Sequence, residues 1–338
     1  MKGEGVKKIV LHIEIMVLTA VLLCSCQSDI EEILLPVERC ADAPVAITSS
    51  ACFSIHGKGY VFGGRTDSER VTNHLYEYDP ASDSWKDLGA TPLKARVRSR
   101  AVAVDEDVYI GMGFNGLFFI DSAYLADFWK WTPATDTWTA LENYPSERTV
   151  GPVLSSDGEN IYAAMGGLRN FERWIFRYTI DTNKWVQLKD GVPRMASYPP
   201  RAHSACGTWC QGKLFVGAGY TRDGSSDFWV EAEVREDSII WHRCATISGR
   251  RDNSIAVSDG KSVYLAGGTL YGGTLTNGHY YDDVLRYDPQ KDVWTRIAHM
   301  PDGERENMIS WVIGDYLYVG LGNDKRNKPC KQLYRIRL

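Results

Sequence analysis

The sequence predicts an all-β chain assembled from six copies of one four-stranded unit. Three observations carry this. A short β-rich run ending in paired or near-paired glycines occurs six times. A second aromatic run follows each copy, and a tryptophan follows that run in five of them. A repeat of this length decides the fold before any single motif is interpreted.

The first copy, Lys58 to Trp85, sets the pattern: Lys-Gly-Tyr-Val-Phe-Gly-Gly, a polar loop, Leu-Tyr-Glu-Tyr-Asp-Pro, then Ala-Ser-Asp-Ser-Trp. The glycine signature recurs at Phe62-Gly63-Gly64, Gly111-Met112-Gly113, Met165-Gly166-Gly167, Gly217-Ala218-Gly219, Ala266-Gly267-Gly268 and Gly320-Leu321-Gly322. Successive copies lie about 49 to 54 residues apart. The second run recurs as Leu75-Tyr76-Glu77-Tyr78-Asp79, Phe128-Trp129-Lys130-Trp131 and Val284-Leu285-Arg286-Tyr287-Asp288, among others, and the tryptophans are Trp85, Trp138, Trp185, Trp241 and Trp294. In the first copy the strands fall at about Ser50–Ile55 (a), Tyr60–Gly63 (b), Leu75–Tyr78 (c) and Trp85–Leu88 (d). Glycines sit where strands crowd, and Pro and Asp occupy the c–d turns. Composition agrees: eleven Trp, eighteen Tyr, ten Phe and 31 Gly favour strands and turns.

These repeats resemble the kelch repeat, and the resemblance covers roughly residues 45–338. It implies a six-bladed kelch β-propeller with four-stranded blades. One such sheet cannot bury both faces alone, so the blades stack in a ring with tryptophans between them. The last copy stops after strand c at Leu338. Its fourth strand must come from the N-terminus, and Leu34–Cys40 is apolar enough to supply it. The expected organisation is therefore residues 1–25 as signal, 26–33 as tether and 34–338 as propeller.

Lys2, Lys7 and Lys8 precede an apolar run, Ile15 to Leu23, that is too short to span a bilayer. Leu23-Cys24-Ser25-Cys26 then resembles a bacterial lipobox with Cys26 as the lipidated residue. A plain secretory signal is the alternative. The acidic stretch after Cys26 resembles the tethers of Bacteroidota lipoproteins, which implies an outer-membrane anchor with the protein on the periplasmic or cell-surface side. The net charge of −5, or −6 without residues 1–25, offers nothing to nucleic acid.

By analogy with the Tyr78–Trp85 hairpin, Cys40 and Cys330 come nearly opposite each other, and a disulfide between them is expected to lock the ring. Two unpaired thiols are the alternative. Cys206, Cys210 and Cys244, with His203 and His242 nearby in sequence, fit buried thiols or a second disulfide better than a metal site. No metal or cofactor is expected.

In an antiparallel blade the d–a and b–c links share one face. The b–c links vary most, so that face is the expected binding face. An arginine recurs before strand a at Arg96, Arg148, Arg201, Arg251 and Arg305. With Arg98, His203, Asn253 and Asn307, these side chains are expected around the channel mouth, where guanidiniums grip carboxylates. Inter-blade hydrogen bonding is their alternative role. Phe114, Tyr220 and Tyr271, with Phe118, Phe119, Phe171 and Tyr280, lie in the b–c links and offer stacking faces or loop packing. No G-x-S-x-G, H-E-x-x-H or phosphate loop is present. The resemblance extends to the kelch lipoproteins of Bacteroidota, partly through Asp127-Phe128-Trp129 and Asp227-Phe228-Trp229. It implies a monomeric, non-enzymatic envelope module that binds a glycan or an envelope protein. The alternative is a mutarotase acting on an acidic sugar such as sialic acid, with Glu304 or Glu306 carrying the proton.

Overall fold

The computed structural model of the chain describes residues 30–117, 121–145, 149, 151–166, 174–190, 199–271 and 278–338. The chain divides into a unit Met1–Glu31 and a unit Glu32–Leu338. The expected signal and Cys26 lie outside the described residues. Among the described residues no helix is long and apolar enough to cross a membrane.

The second unit is a six-bladed β-propeller. Blade 1 is Ala51–Ile55, Lys58–Phe62, His74–Asp79 and Ser84–Ala90, within a few residues of the expected strands. Blade 2 begins with strands a and b at Arg100–Val104 and Asp107–Gly111, blade 3 at Val153–Ser156 and Asn160–Ala164, and blade 4 at Cys206–Cys210 and Lys213–Gly217. Blade 5 begins at Ile255–Ser258 and Val263–Ala266, and blade 6 at Ile309–Ile313 and Tyr316–Gly320. Strand a of each blade abuts strand a of the next all the way round, so six strands enclose the central channel.

Strand c of blade 6, Leu333–Arg337, pairs antiparallel with Val37–Arg39. The N-terminal segment thus supplies the missing fourth strand, as the sequence predicts. The chain engages earlier than expected, however. Ile33 N–H donates to the Arg296 carbonyl at 2.9 Å and Leu35 N–H to Ile297 at 2.8 Å. Ile33, the last residue placed in the tether, therefore already braces blade 5 before the chain crosses to blade 6.

The blades are joined by a recurring lock. The c–d turns hold a left-handed Asx residue: Asp83 (φ 45°), Asp136 (47°), Asn183 (53°) and Asp292 (53°). Asp and Asn tolerate that conformation better than most residues. In blade 5 the Asp292 carboxylate accepts from the Tyr287 hydroxyl at 2.7 Å and from the Ala245 N–H at 2.7 Å. Trp294 Nε1–H returns a bond to the Ala245 carbonyl at 3.0 Å. Tyr78, Asp83 and Trp85 grip Ala41 in the same way, and Tyr178, Asn183 and Trp185 grip Glu142. The residue gripped lies two residues beyond the end of strand d of the preceding blade. Trp85, Trp185 and Trp294 therefore fill space and also carry one directed bond each, of about 1 kcal/mol.

Gly64 shows why the glycine signature is needed. Its φ is 102°, and a Cβ there would lie 2.2 Å from Ser50 Oγ and 2.7 Å from the Thr48 carbonyl.

The expected Cys40–Cys330 bridge is not formed; both are free thiols. Register explains it. Cys40 N–H bonds to the Leu333 carbonyl, three residues beyond Cys330. Cys330 lies ahead of strand c and bridges Ile47 instead. Cys206, Cys210 and Cys244 are also free, and no metal-binding cluster occurs among the described residues.

Candidate functional site

The entrance arginines do different work from that expected. In four blades the N–H of the closing signature glycine donates to a carbonyl at the entrance of the following blade, and in blade 3 the middle residue of the signature, Gly166, takes that place. Gly64 bonds Arg96 (2.8 Å), Gly219 bonds Arg251 (2.9 Å), Gly268 bonds Arg305 (2.8 Å), Gly166 bonds Ala202 (3.2 Å) and Gly322 bonds Ile47 (3.0 Å). The equivalent positions are therefore Ile47, Arg96, Ala202, Arg251 and Arg305. Arg201 stands one residue off this register and is exposed. Arg148 lies outside the described residues, next to the buried Thr149.

Arg96, Arg251 and Arg305 are buried, at 0%, 0% and 2% exposure, and are structural rather than free guanidiniums at the mouth. Arg96 grips Asp127 bidentately at 2.8 and 2.7 Å. Arg251 grips Asp283 at 2.6 and 3.1 Å and lies 3.7 Å over the Tyr281 ring. Arg305 bonds Gln332 Oε1 at 3.1 Å and the Asp302 carboxylate at 3.4 Å. Strand register puts Asp127, Asp283 and Gln332 at one shared position. Asp127 and Gln332 directly precede the first residue of strand c, Phe128 and Leu333, which pair with Gly111 and Gly320, and Val284 after Asp283 pairs with Ala266. In blade 4 Trp229 pairs with Gly217, so Phe228 occupies the position and packs with Ala202. The two Asp-Phe-Trp triplets are thus one residue out of register with each other.

The mouth itself is made two residues further on. Ser49, Arg98, Gly151, Ser204, Asn253 and Asn307 all have left-handed backbones, with φ between 51° and 58°. Arg98 N–H donates to Ser49 O (2.7 Å), Ser49 to Asn307 (3.3 Å), Asn307 to Asn253 (2.9 Å) and Asn253 to Ser204 (3.1 Å). Side chains converge on this ring. Arg98 Nη1 donates to Ser204 Oγ at 2.7 Å, across 106 residues of sequence. Asn253 Nδ2 donates to Glu306 Oε2 at 2.9 Å. Ser225 Oγ donates to Asp252 Oδ2 at 2.6 Å and accepts from Tyr271 N–H at 2.9 Å. The His203 ring stacks on Tyr220 at 5.3 Å, and Tyr220 meets Tyr271 edge-on at 5.9 Å. Tyr271 is 58% exposed and forms the outer wall.

Arg98, His203, Asn253, Asn307, Tyr220 and Tyr271 therefore come to one end of the channel. Phe114 does not; it is buried against Val97, Val71 and Tyr124. Phe118, Phe119 and Phe171 lie outside the described residues. Asp252 and Ser225 join the mouth although the sequence reading passed over them. Asp252 directly follows Arg251 and was recognisable only once the register of the ring was known.

Burial shifts the two central titrating groups in opposite senses. It pushes the His203 imidazole down to about 4, and the Arg98 charge adds to the effect, so the ring is neutral at pH 7. It pushes the Asp252 carboxyl up to about 6, and Glu306 adds to that against Ser225 and Arg98. The Asp252 value lies above the ordinary 3.8, so its contribution to stability is full below that pH and is lost as pH rises through about 6. The His203 value lies below the ordinary 6.5, so its contribution is present above that pH and is lost as pH falls through about 4. NMR titration is expected to give midpoints near 4 for the His203 ring and near 6 for the Asp252 carboxyl. Arg98→Gln should raise both. Ordinary midpoints for both groups would mean an open, fully solvated mouth.

Residues 250–301, which hold Arg251, Asp283 and Trp294, match the family described as Kelch motif. The match covers one repeat, that of blade 5. Kelch-like protein 35 of Mus musculus is 25% identical over 260 residues, covering 76% of this chain and 40% of that protein. Kelch-like protein 25 of Xenopus tropicalis is 24% identical over 77% of this chain and 42% of its own length. The chain thus spans about two fifths of the length of these relatives. The solved structure of YjhT superposes with a TM-score of 0.71 over 88% of this chain and 97% of that one, at 16% identity, which is a likeness of fold.

Proposed function

We propose that this kelch propeller is a binding module of the cell envelope, held to the outer membrane by lipid on Cys26, that takes a glycan or a segment of an envelope protein on its d–a/b–c face. The observation that carries it is the mouth: Arg98, Ser204, His203, Asp252, Asn253 and Glu306 meet there on a rigid ring beneath the exposed Tyr271. Polar groups fixed at the foot of an aromatic wall suit a sugar ring, or a peptide that presents polar and flat groups together.

A glycan array and photocrosslinking to envelope proteins from position 271 test the two arms. Tyr271→Ala is expected to weaken binding about tenfold, the loss of one stacking contact. Binding that both Tyr271→Ala and Arg98→Gln leave unchanged lies elsewhere and sinks the reading.

One observation favours the second reading, a mutarotase acting on an acidic sugar. Asp252, raised to about 6, is poised to take and return a proton at neutral pH. It suits that role better than Glu304, whose carboxyl is held down by the backbone and by Lys325 at 3.4 Å. Faster exchange of sialic-acid anomers, followed by NMR and lost in Asp252→Asn, would move this reading to first place.

A further inference from the structure

Below the mouth the six a strands enclose a channel of about 300 Å³. That is room for roughly ten waters. Its lining is small and neutral, with serines from several blades, and Arg100 is the one charged side chain among the described residues that line it. Arg100 pairs with Gly111 in strand register. The matching residues in the other blades are Ala51, Val153, Cys206, Ile255 and Ile309. Blade 2 alone places a cation at this level.

Among the described residues the Arg100 guanidinium is held by main-chain carbonyls only. Nε donates to Pro152 O at 2.9 Å, Nη1 to Ser99 O at 3.2 Å and Nη2 to Gly151 O at 3.4 Å. Gly151 makes room for it, since a Cβ there would lie 2.9 Å from Nη2. Three bonds leave two of the five guanidinium N–H groups unassigned. Among the described residues no carboxylate lies within ion-pair distance of Arg100, in contrast to Arg96 and Arg251 with their aspartates. Glu306 and Asp252 draw on Arg98, whereas Arg100 is pushed down to about 10 by burial and by the Arg98 charge, and so stays protonated at neutral pH. The Cys206 thiol is pushed up to about 12 and Cys52 also upward, both by burial, so neither brings a negative charge.

We propose that the channel is an anion socket in which Arg100, with Arg98 above it at the mouth, receives a small monovalent anion: the carboxylate of a bound ligand or a free halide-sized ion. A half-buried guanidinium with no carboxylate partner among the described residues gains most from an anion that reaches it, and charge-assisted hydrogen bonds to such a group are the strong ones. The socket deepens the binding-module reading only in using the same mouth as its entrance.

The test uses the full chain. Crystals soaked in bromide are expected to show an anomalous peak within hydrogen-bonding reach of the Arg100 guanidinium. Displacement of that peak by glucuronate identifies a ligand carboxylate as the occupant; bromide retained in excess glucuronate identifies an inorganic ion. Solution titration with acetate should weaken at least tenfold in Arg100→Gln. Bromide confined to the outer surface of the wild-type crystals would overturn the proposal with no variant needed. The two readings also fail separately. Bromide on Arg100 with no glycan or protein bound at the mouth leaves the socket standing without the module, and mouth binding with no bromide on Arg100 does the reverse.

Discussion

Replacing Asp283 by alanine is expected to destabilise the protein by about 3–5 kcal/mol. Arg251 is fully buried and the Asp283 side chain is 6% exposed, so solvent screens the pair little. The guanidinium also donates to the Gly267 carbonyl at 3.2 Å, to Gly249 at 3.3 Å and to Ser248. Removing the carboxylate leaves a cation that cannot shed its proton and has only neutral acceptors around it. Asp127→Ala should cost less, because the Asp127 side chain is 30% exposed and water can reach the vacated Arg96. Replacing both members of the blade 5 pair by apolar residues should recover much of the loss. Blade 4 already holds such a solution, with Ala202 against Phe228. Urea denaturation of the two single variants and the double variant is the measurement. A loss below about 1 kcal/mol in Asp283→Ala would mean that the pair contributes like an exposed surface bridge.

That pair also shows what was legible in the sequence. The period, the glycines and the tryptophans gave strand order and blade number, because each copy had to solve the same packing problem. Ring closure by the N-terminal segment followed from a missing fourth strand. The site was less legible because it turns on single-residue register. Arg148 and Arg201 resemble Arg96 in spacing, yet the strand pairing makes Thr149 and Ala202 the buried neighbours of the entrance. A shift of one residue moves a side chain from the interior to solvent. The carboxylate partners were visible as residues but not as partners, since Asp127 and Asp283 lie 31 and 32 residues beyond their arginines. Arg100 was hidden for a different reason. It breaks the repeat, and a search for recurrence passes over a residue that occurs in one blade only.

Deleting residues 1–40 is expected to destabilise the protein by roughly 3–6 kcal/mol relative to a chain beginning at residue 30, after the reduced ordering of the segment is set against its lost contacts. The deletion removes the pairs Val37↔Ile336, Glu38↔Arg335 and Arg39↔Tyr334, and the two bonds that brace blade 5. Leu35 and Val37 leave the apolar cluster between blades 5 and 6, which includes Ile297, Tyr334 and Ile336. Glu38 leaves its 2.7 Å ion pair with Arg335. The cut already reaches blade 1 through Cys40, which shares a buried cluster with Val61, Tyr76 and Tyr78, and one residue further it would also take away Ala41, gripped there by Asp83 and Trp85. A bare strand c at Leu333–Arg337 would also offer its unpaired backbone to a second copy. Size-exclusion chromatography should therefore show concentration-dependent association of the shortened chain, alongside a lower urea midpoint. If the shortened chain keeps the midpoint of the chain starting at residue 30 and stays monomeric, the ring is held by blade-to-blade packing alone and the N-terminal strand is an ornament to it.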